Sequence, residues 1–243
     1  LEEGFLLYKE MALLKEIVYD VREALKEYSD DSELDNRYIK YLYNIKRAKY
    51  LRQDLNNYQK TVDNSIKQTL CLAMSLVDGD ECGDDCPKLL RSDRPLPKPL
   101  ELHSKVAITS VKPTDRIGVP FNFISKDKIA YIEGAQFASG LYAFLDNDNY
   151  MYVYSLSNAY KLLNCLTVTG VFEKPTDLGS YPSCCDCNVS SYSCYNEDED
   201  EYPLQPHYID LIKTEIVSDF LKLRQVPEDY ENNATDQGNE QKS

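Results

Sequence analysis

The sequence predicts an α+β protein: a helical bundle formed by an N-terminal hairpin and a C-terminal helix, with a central, mainly β domain between them. Three observations predict it. Residues 12 to 57 carry apolar side chains at three- and four-residue spacings in two successive stretches, which is the period of a helix with one buried face. From residue 66 the spacing falls to two, and short apolar runs bounded by Pro, Gly and Asp continue to residue 173, as expected of strands. The helical period returns only between Pro206 and Pro227. Helices at both ends with strands between them close most simply by bringing the ends together. The expected divisions are a helical hairpin over 1–57, a mainly β domain with Cys-rich loops over 58–196, a helix over 197–226 that returns to the bundle, and a flexible tail or docking arm over 227–243.

The first helix is expected from Ala12 to Tyr28. Leu13, Leu14, Ile17, Val18, Val21, Ala24, Leu25 and Tyr28 form its apolar stripe, with Lys15, Arg22, Glu23 and Lys26 opposite, so it should pack by one face. SDD at 29–31 breaks it. The second helix is expected over Ser32–Asn57, with Ser32 as the capping acceptor and acidic residues in the first turn, where they meet the positive helix end. Two faces can be drawn on it. Leu34, Tyr38, Tyr41, Leu42, Ile45 and Ala48 are assigned to the inner face, and Ile39, Tyr43 and Tyr50 to an outer one, mixed with Lys40, Lys46 and Arg47. A second half-apolar face implies a second neighbour.

Strands are expected over 66–76, 106–111, 117–124, 128–132, 141–145, 150–155 and 162–173, with DNDN turning a hairpin between the fifth and sixth. RPLPKPLELH contains three prolines and reads as an extended connector. A loop rich in Ser, Cys and Pro over 176–196 runs into the acidic block EDEDE. Pro206 then opens the last helix, whose inner face is Tyr208, Ile209, Ile212, Ile216, Phe220 and Leu223, while Val217 and Leu221 point away from it. Residues 228–243 have almost no apolar content, so isolated folding is not expected of them.

Net charge is −14 in 243 residues, which argues against holding nucleic acid through its phosphates unless cations are segregated on one surface. Arg37, Lys40, Lys46, Arg47, Lys49 and Arg52 all fall on the second helix but spread around it, which suits snorkelling on a solvated face better than phosphate contact. The 20 Tyr, against 7 Phe and no Trp, suit interfaces that are buried yet wet. No apolar run approaches the roughly 20 residues that span a bilayer, and the first residues show no basic region followed by an apolar core and cleavage site; a soluble protein that is not conventionally secreted is expected. His103 and His207 are the two histidines, and neither sits near a nucleophile pattern; phosphate, dinucleotide, serine-hydrolase and zinc-protease motifs are missing. No enzyme and no cofactor are expected.

The eight cysteines leave three readings open. Cys82 and Cys86 share one loop, and Cys184, Cys185, Cys187 and Cys194 crowd another, whereas Cys71 and Cys165 sit on strand patterns and read as small buried hydrophobes. The loop cysteines could hold Zn²⁺, form disulfides, or remain free thiols. The irregular spacing disfavours metal, so no metal site is assigned. A small regulatory or metal-binding module organised by these loops is the alternative to the reading that follows.

Several stretches carry a resemblance: KEYSDDSELDNRYIKYLYNIKRAKYLRQDLNNYQ, RPLPKPLELHSKVAITSVKPTDRIGVPFNFISK, AFLDNDNYMYVYS, LTVTGVFEKPTDL and EYPLQPHYIDLIKTEIVSDFLKLRQVPEDYENNA. In this order, from about residue 20 to 235, they resemble a structural protein of crAss-like bacteriophages of gut Bacteroidales, similar in layout to the ring-forming head-to-tail connectors of tailed phages. The resemblance implies a virion protein of the neck or tail, assembled in the host cytoplasm. It implies a homo-oligomeric ring of about twelve copies that contacts the portal and adjacent tail rings, with genomic DNA passing through its channel without sequence-specific binding. The chain departs from the resemblance around the Cys-rich loops. On this reading the subunit interface is expected at Ile39, Tyr43, Lys46, Arg47, Tyr50, Val217 and Leu221, and the partner-docking tail at Pro227 and Tyr230.

Overall fold

The computed structural model of the protein describes residues 12–26, 35–57, 62–77, 89–114, 120–133, 140–155, 163–182 and 194–224. Within α1 (Leu14–Lys26), Leu14, Ile17, Val18, Val21 and Leu25 are buried, the stripe that its spacing predicts. The following helix, α2, runs Asn36–Asn57. Its first turn is held by Asp35, whose Oδ1 accepts the Arg37 N–H at 2.9 Å, so an acidic side chain performs the capping expected of Ser32. Ser32 itself lies outside the described residues.

Seven strands follow: β1 (Gln68–Leu76), β2 (Leu90–Ser92), β3 (Ile108–Pro113), β4 (Asn122–Phe123), β5 (Leu141–Leu145), β6 (Met151–Ser155) and β7 (Cys165–Gly170). They form one sheet in the order β3-β7-β1-β2-β6-β5-β4, antiparallel except where β4 runs parallel to β5. The Phe121 N–H, one residue before β4, donates to the Val111 carbonyl of β3 at 2.8 Å. That bond brings the two edges together, so the sheet curls into a near-barrel and few backbone groups remain at an open edge. Leu70 and Leu72 of β1, Val111 of β3, Val153 of β6 and Leu166 and Val168 of β7 fill its interior. The DNDN turn joins β5 to β6 as expected, with Asn149 at φ 63°, a conformation that Asn tolerates better than most residues.

Residues 128–132 were expected as a strand and are helical: α3 is Ile129–Glu133, after a 3₁₀ turn over Lys126–Lys128. The run is too short for its period to decide. Ile129 and Ile132, three apart, are half-buried while Tyr131 between them is exposed, which is helical spacing. The Lys126–Asp146 ion pair at 2.7 Å ties this turn to the end of β5.

The last helix, α4 (Pro206–Arg224), buries Ile212 and Ile216 completely against α1 and α2. Ile66, Leu100, Ala107, Val171, Tyr202 and Leu204 belong to the same cluster. The bundle core is therefore completed by side chains from one end of the sheet and from the segment leading into α4. At this seam the backbone of Gly170 lies so close to β3 that a Cβ there would sit 2.9 Å from the Ala107 carbonyl oxygen, which is why glycine ends β7.

Candidate assembly surface

Every four residues along α2 a side chain enters the subunit's own core. Ile39, Tyr43, Arg47 and Leu51 are all essentially fully buried. The Tyr43 hydroxyl donates to the Ile209 carbonyl at 3.0 Å, and its ring meets Tyr202 edge-on at 5.5 Å. The Tyr202 hydroxyl donates to Asn44 Oδ1 at 2.7 Å. Burial, with Tyr202 and Asp210 lesser causes, raises the Tyr43 hydroxyl far above the usual tyrosine range, so it remains a neutral donor.

Arg47 is the hub of this interior. Its Nε donates to the Pro203 carbonyl at 2.9 Å and an Nη to the Phe172 carbonyl at 2.7 Å, while its guanidinium carbon stands 5.7 Å from the Tyr202 ring centroid. One side chain thus joins α2, the end of the sheet and the approach to α4. Burial lowers its pKa, but an arginine starts high enough to stay charged, and the carbonyls and ring face replace part of its lost hydration.

Four more cations of α2 are held by carboxylates of the same chain. Lys46 bridges Glu215 at 3.1 Å and Asp219 at 2.7 Å; Lys49 reaches Glu215 at 3.1 Å. Lys40 pairs with Glu197 at 2.7 Å and Arg52 with Glu173 at 2.9 Å. The acidic block at 197–201, expected to lie upstream of the α4 N-terminus, is also gripped from α1, where Lys15 Nζ donates to the Asp198 carbonyl at 2.6 Å. Glu215 also accepts the Tyr50 hydroxyl at 2.9 Å. Burial alone would raise the Glu215 carboxyl, but the hydrogen bonds from Tyr50, Lys46 and Lys49 outweigh it and hold it at about 2. These four cations are paired within their own chain, and the side chains of Lys49 and Arg52 remain 50% and 42% exposed.

The faces drawn on α2 are therefore partly exchanged, with Ala48 buried and Leu42 packed on the core as expected. Ile39, Tyr43 and Arg47, expected outside, are inside; Tyr38, Tyr41 and Ile45, expected inside, stand 46%, 51% and 45% exposed. An i, i+4, i+8 row leading to Leu51 is visible in the sequence, but it runs through an arginine, and an arginine counts against a core face until its carbonyl partners are seen. Tyr50, Val217 and Leu221 are half-buried, and Tyr50 and Val217 pack against the bundle core. Pro227 and Tyr230 lie outside the described residues.

On the outer side, Tyr38 stacks on Tyr41 with centroids 6.4 Å apart and meets Phe220 of α4 edge-on at 6.0 Å. A groove of about 440 Å³ lined by Tyr38, Leu42, Asp219, Phe220 and Lys222 opens beside this ladder. Sequence reasoning missed this surface because it treated these aromatics as core.

Cys71 and Cys165 each take part in a disulfide, which corrects their reading as plain buried hydrophobes. Both alternate with the residues that fill the near-barrel, so they lie on its outward side. Cys194 is a free thiol donating to the Pro182 carbonyl, and burial raises its pKa. Cys82, Cys86, Cys184, Cys185 and Cys187 lie outside the described residues. Among the described residues there is no group of three or more His, Cys, Asp or Glu able to hold a metal ion. The same residues contain no helix long and apolar enough to cross a membrane. His103 and His207 are far apart in role: the His103 backbone N–H is bound by Asn56 at 2.9 Å, and the His207 ring lies 4.0 Å from that of Tyr208.

The chain is thus an α+β protein with a helical bundle, a near-barrel, an outward aromatic ladder and four α2 cations paired with its own carboxylates. Residues 16–240 match the family described as phage tail ring protein 2. The chain belongs to that family. It is also 24% identical over 225 residues to "Ring protein 2" of Bacteroides phage crAss001, which covers 91% of this chain and 96% of the relative.

Proposed function

We propose that the protein is a structural subunit of an oligomeric ring of about twelve copies that connects the portal to the tail of a short-tailed phage and surrounds the path of the DNA. The observation that carries this reading is the family match over residues 16–240. The geometry supports a passive channel wall. A protein of net charge −14 with four α2 cations paired with its own carboxylates offers DNA little to hold as it slides past. The role is mechanical rather than catalytic, and assembly takes place in the host cytoplasm before the particle is released. The tail over 227–243, with Pro227 and Tyr230, is the arm that docks on the portal or an adjacent ring.

Gently disrupted virions examined by native mass spectrometry should release this chain in multimers of about twelve or joined to portal and tail proteins. Recovery only as a monomer or dimer would contradict the ring.

A further inference from the structure

We propose that the ladder of Phe220, Tyr38 and Tyr41, continued by Ile45, receives a second copy of this chain, and is one half of the subunit-to-subunit contact in the ring. The proposal rests on the ring reading above and names the surface that reading needs.

Tyr38, Tyr41 and Ile45 follow one another at i, i+3 and i+7 on α2, so they form one stripe along the helix. The other large hydrophobics more than 40% exposed among the described residues, Tyr19, Leu76, Tyr131 and Leu211, are each the sole such residue on their own element. The ladder is also ordered before any partner arrives, because Tyr38 is held between Tyr41 and Phe220. A preorganised aromatic surface loses little conformational freedom on binding. Beside it the groove between Tyr38, Leu42 and Phe220 offers a concave seat.

Charge favours a copy of the same chain as occupant. Acidic copies repel one another, so self-contact is least costly where carboxylates are either missing or neutralised. Here Glu215 and Asp219 are neutralised by Lys46 and Lys49, and Lys222 stands on the groove rim. A closed ring requires a heterologous contact, so the surface that enters the groove is a different patch of the neighbouring copy.

The test is a full chain with Tyr41→p-benzoylphenylalanine, supplied during infection, incorporated into virions and photolysed. Cross-linked products should extend beyond dimers, and the joined peptide should come from this chain, outside the ladder. Cross-links to a different virion protein would overturn the proposal, as would products that stop at a dimer joined ladder to ladder, or no cross-link in particles that contain the ring. A second variant, Tyr41→Asp with Ile45→Asp, should keep the wild-type unfolding midpoint as an isolated chain and lower incorporation at least about tenfold. Normal incorporation would overturn the surface but leave the ring standing. Wild-type particles in which the chain forms no ring would overturn both.

Discussion

Arg47 occupies a place where its burial would suit a leucine, and what makes it tolerable is a pair of carbonyls lying 156 and 125 residues away in sequence. Lysine lacks the planar fork that reaches both, and methionine would leave both oxygens buried and unpaired. Arg47→Lys and Arg47→Met should each cost about 2–4 kcal/mol in urea unfolding; loss of less than about 0.5 kcal/mol would remove Arg47 from its place as the hub. At Gly170 the obstacle is backbone. A methyl group 2.9 Å from the Ala107 carbonyl cannot be relieved by a side-chain rotation, so Gly170→Ala should destabilise by about 1–3 kcal/mol in the same assay. Neither position was legible in the sequence. Arginine is usually solvated, and glycine marks many kinds of site, so only the distant partner identifies which role each plays.

The joint between α2 and α4 is electrostatic as well as apolar. The Glu215 carboxyl is held at about 2 against an ordinary 4.5, so the folded state favours its ionised form. Its contribution is full above pH of about 4.5 and disappears as pH falls toward 2. With part of the group facing solvent, screening reduces that contribution to about 1 kcal/mol. Wild-type stability should therefore decline across this window more steeply than that of Glu215→Gln, measured by urea unfolding at a series of pH values; parallel curves would contradict the linkage. The helices themselves were legible from their periods, as were most strands, because residues that fill a near-barrel must alternate. The direction in which α2 faces was not. Both of its stripes contain aromatics, and tyrosine serves equally inside, where Tyr43 donates to Ile209, and outside, where Tyr38 stacks on Tyr41. The helix at 129–133 was missed for a related reason, since five residues do not separate a period of two from one of 3.6.

For the whole molecule, closure of the two chain ends was legible because the layout of elements allows few compact alternatives. The seam between bundle and near-barrel was not, since Leu100, Ala107 and Val171 lie beside strand patterns yet join the bundle's cluster and not the near-barrel's, which periodicity alone does not reveal. The charged tail is the least protein-like stretch in composition, and docking on a partner is the role proposed for it. Deleting residues 228–243 should leave the unfolding midpoint of the isolated chain unchanged and weaken the stacking of rings in the neck, seen as fewer particles with attached tails by electron microscopy. Normal neck assembly by the truncated chain would contradict that role.

The most direct measurement is a cryo-EM reconstruction of the virion from portal to tail, at a resolution that traces α2. The account predicts a closed ring of copies of this chain around the DNA channel, with Arg47 inside each subunit and the Tyr38–Tyr41–Ile45 stripe covered by the neighbouring copy. A chain present as single copies or isolated dimers, or lying away from the channel, would contradict it.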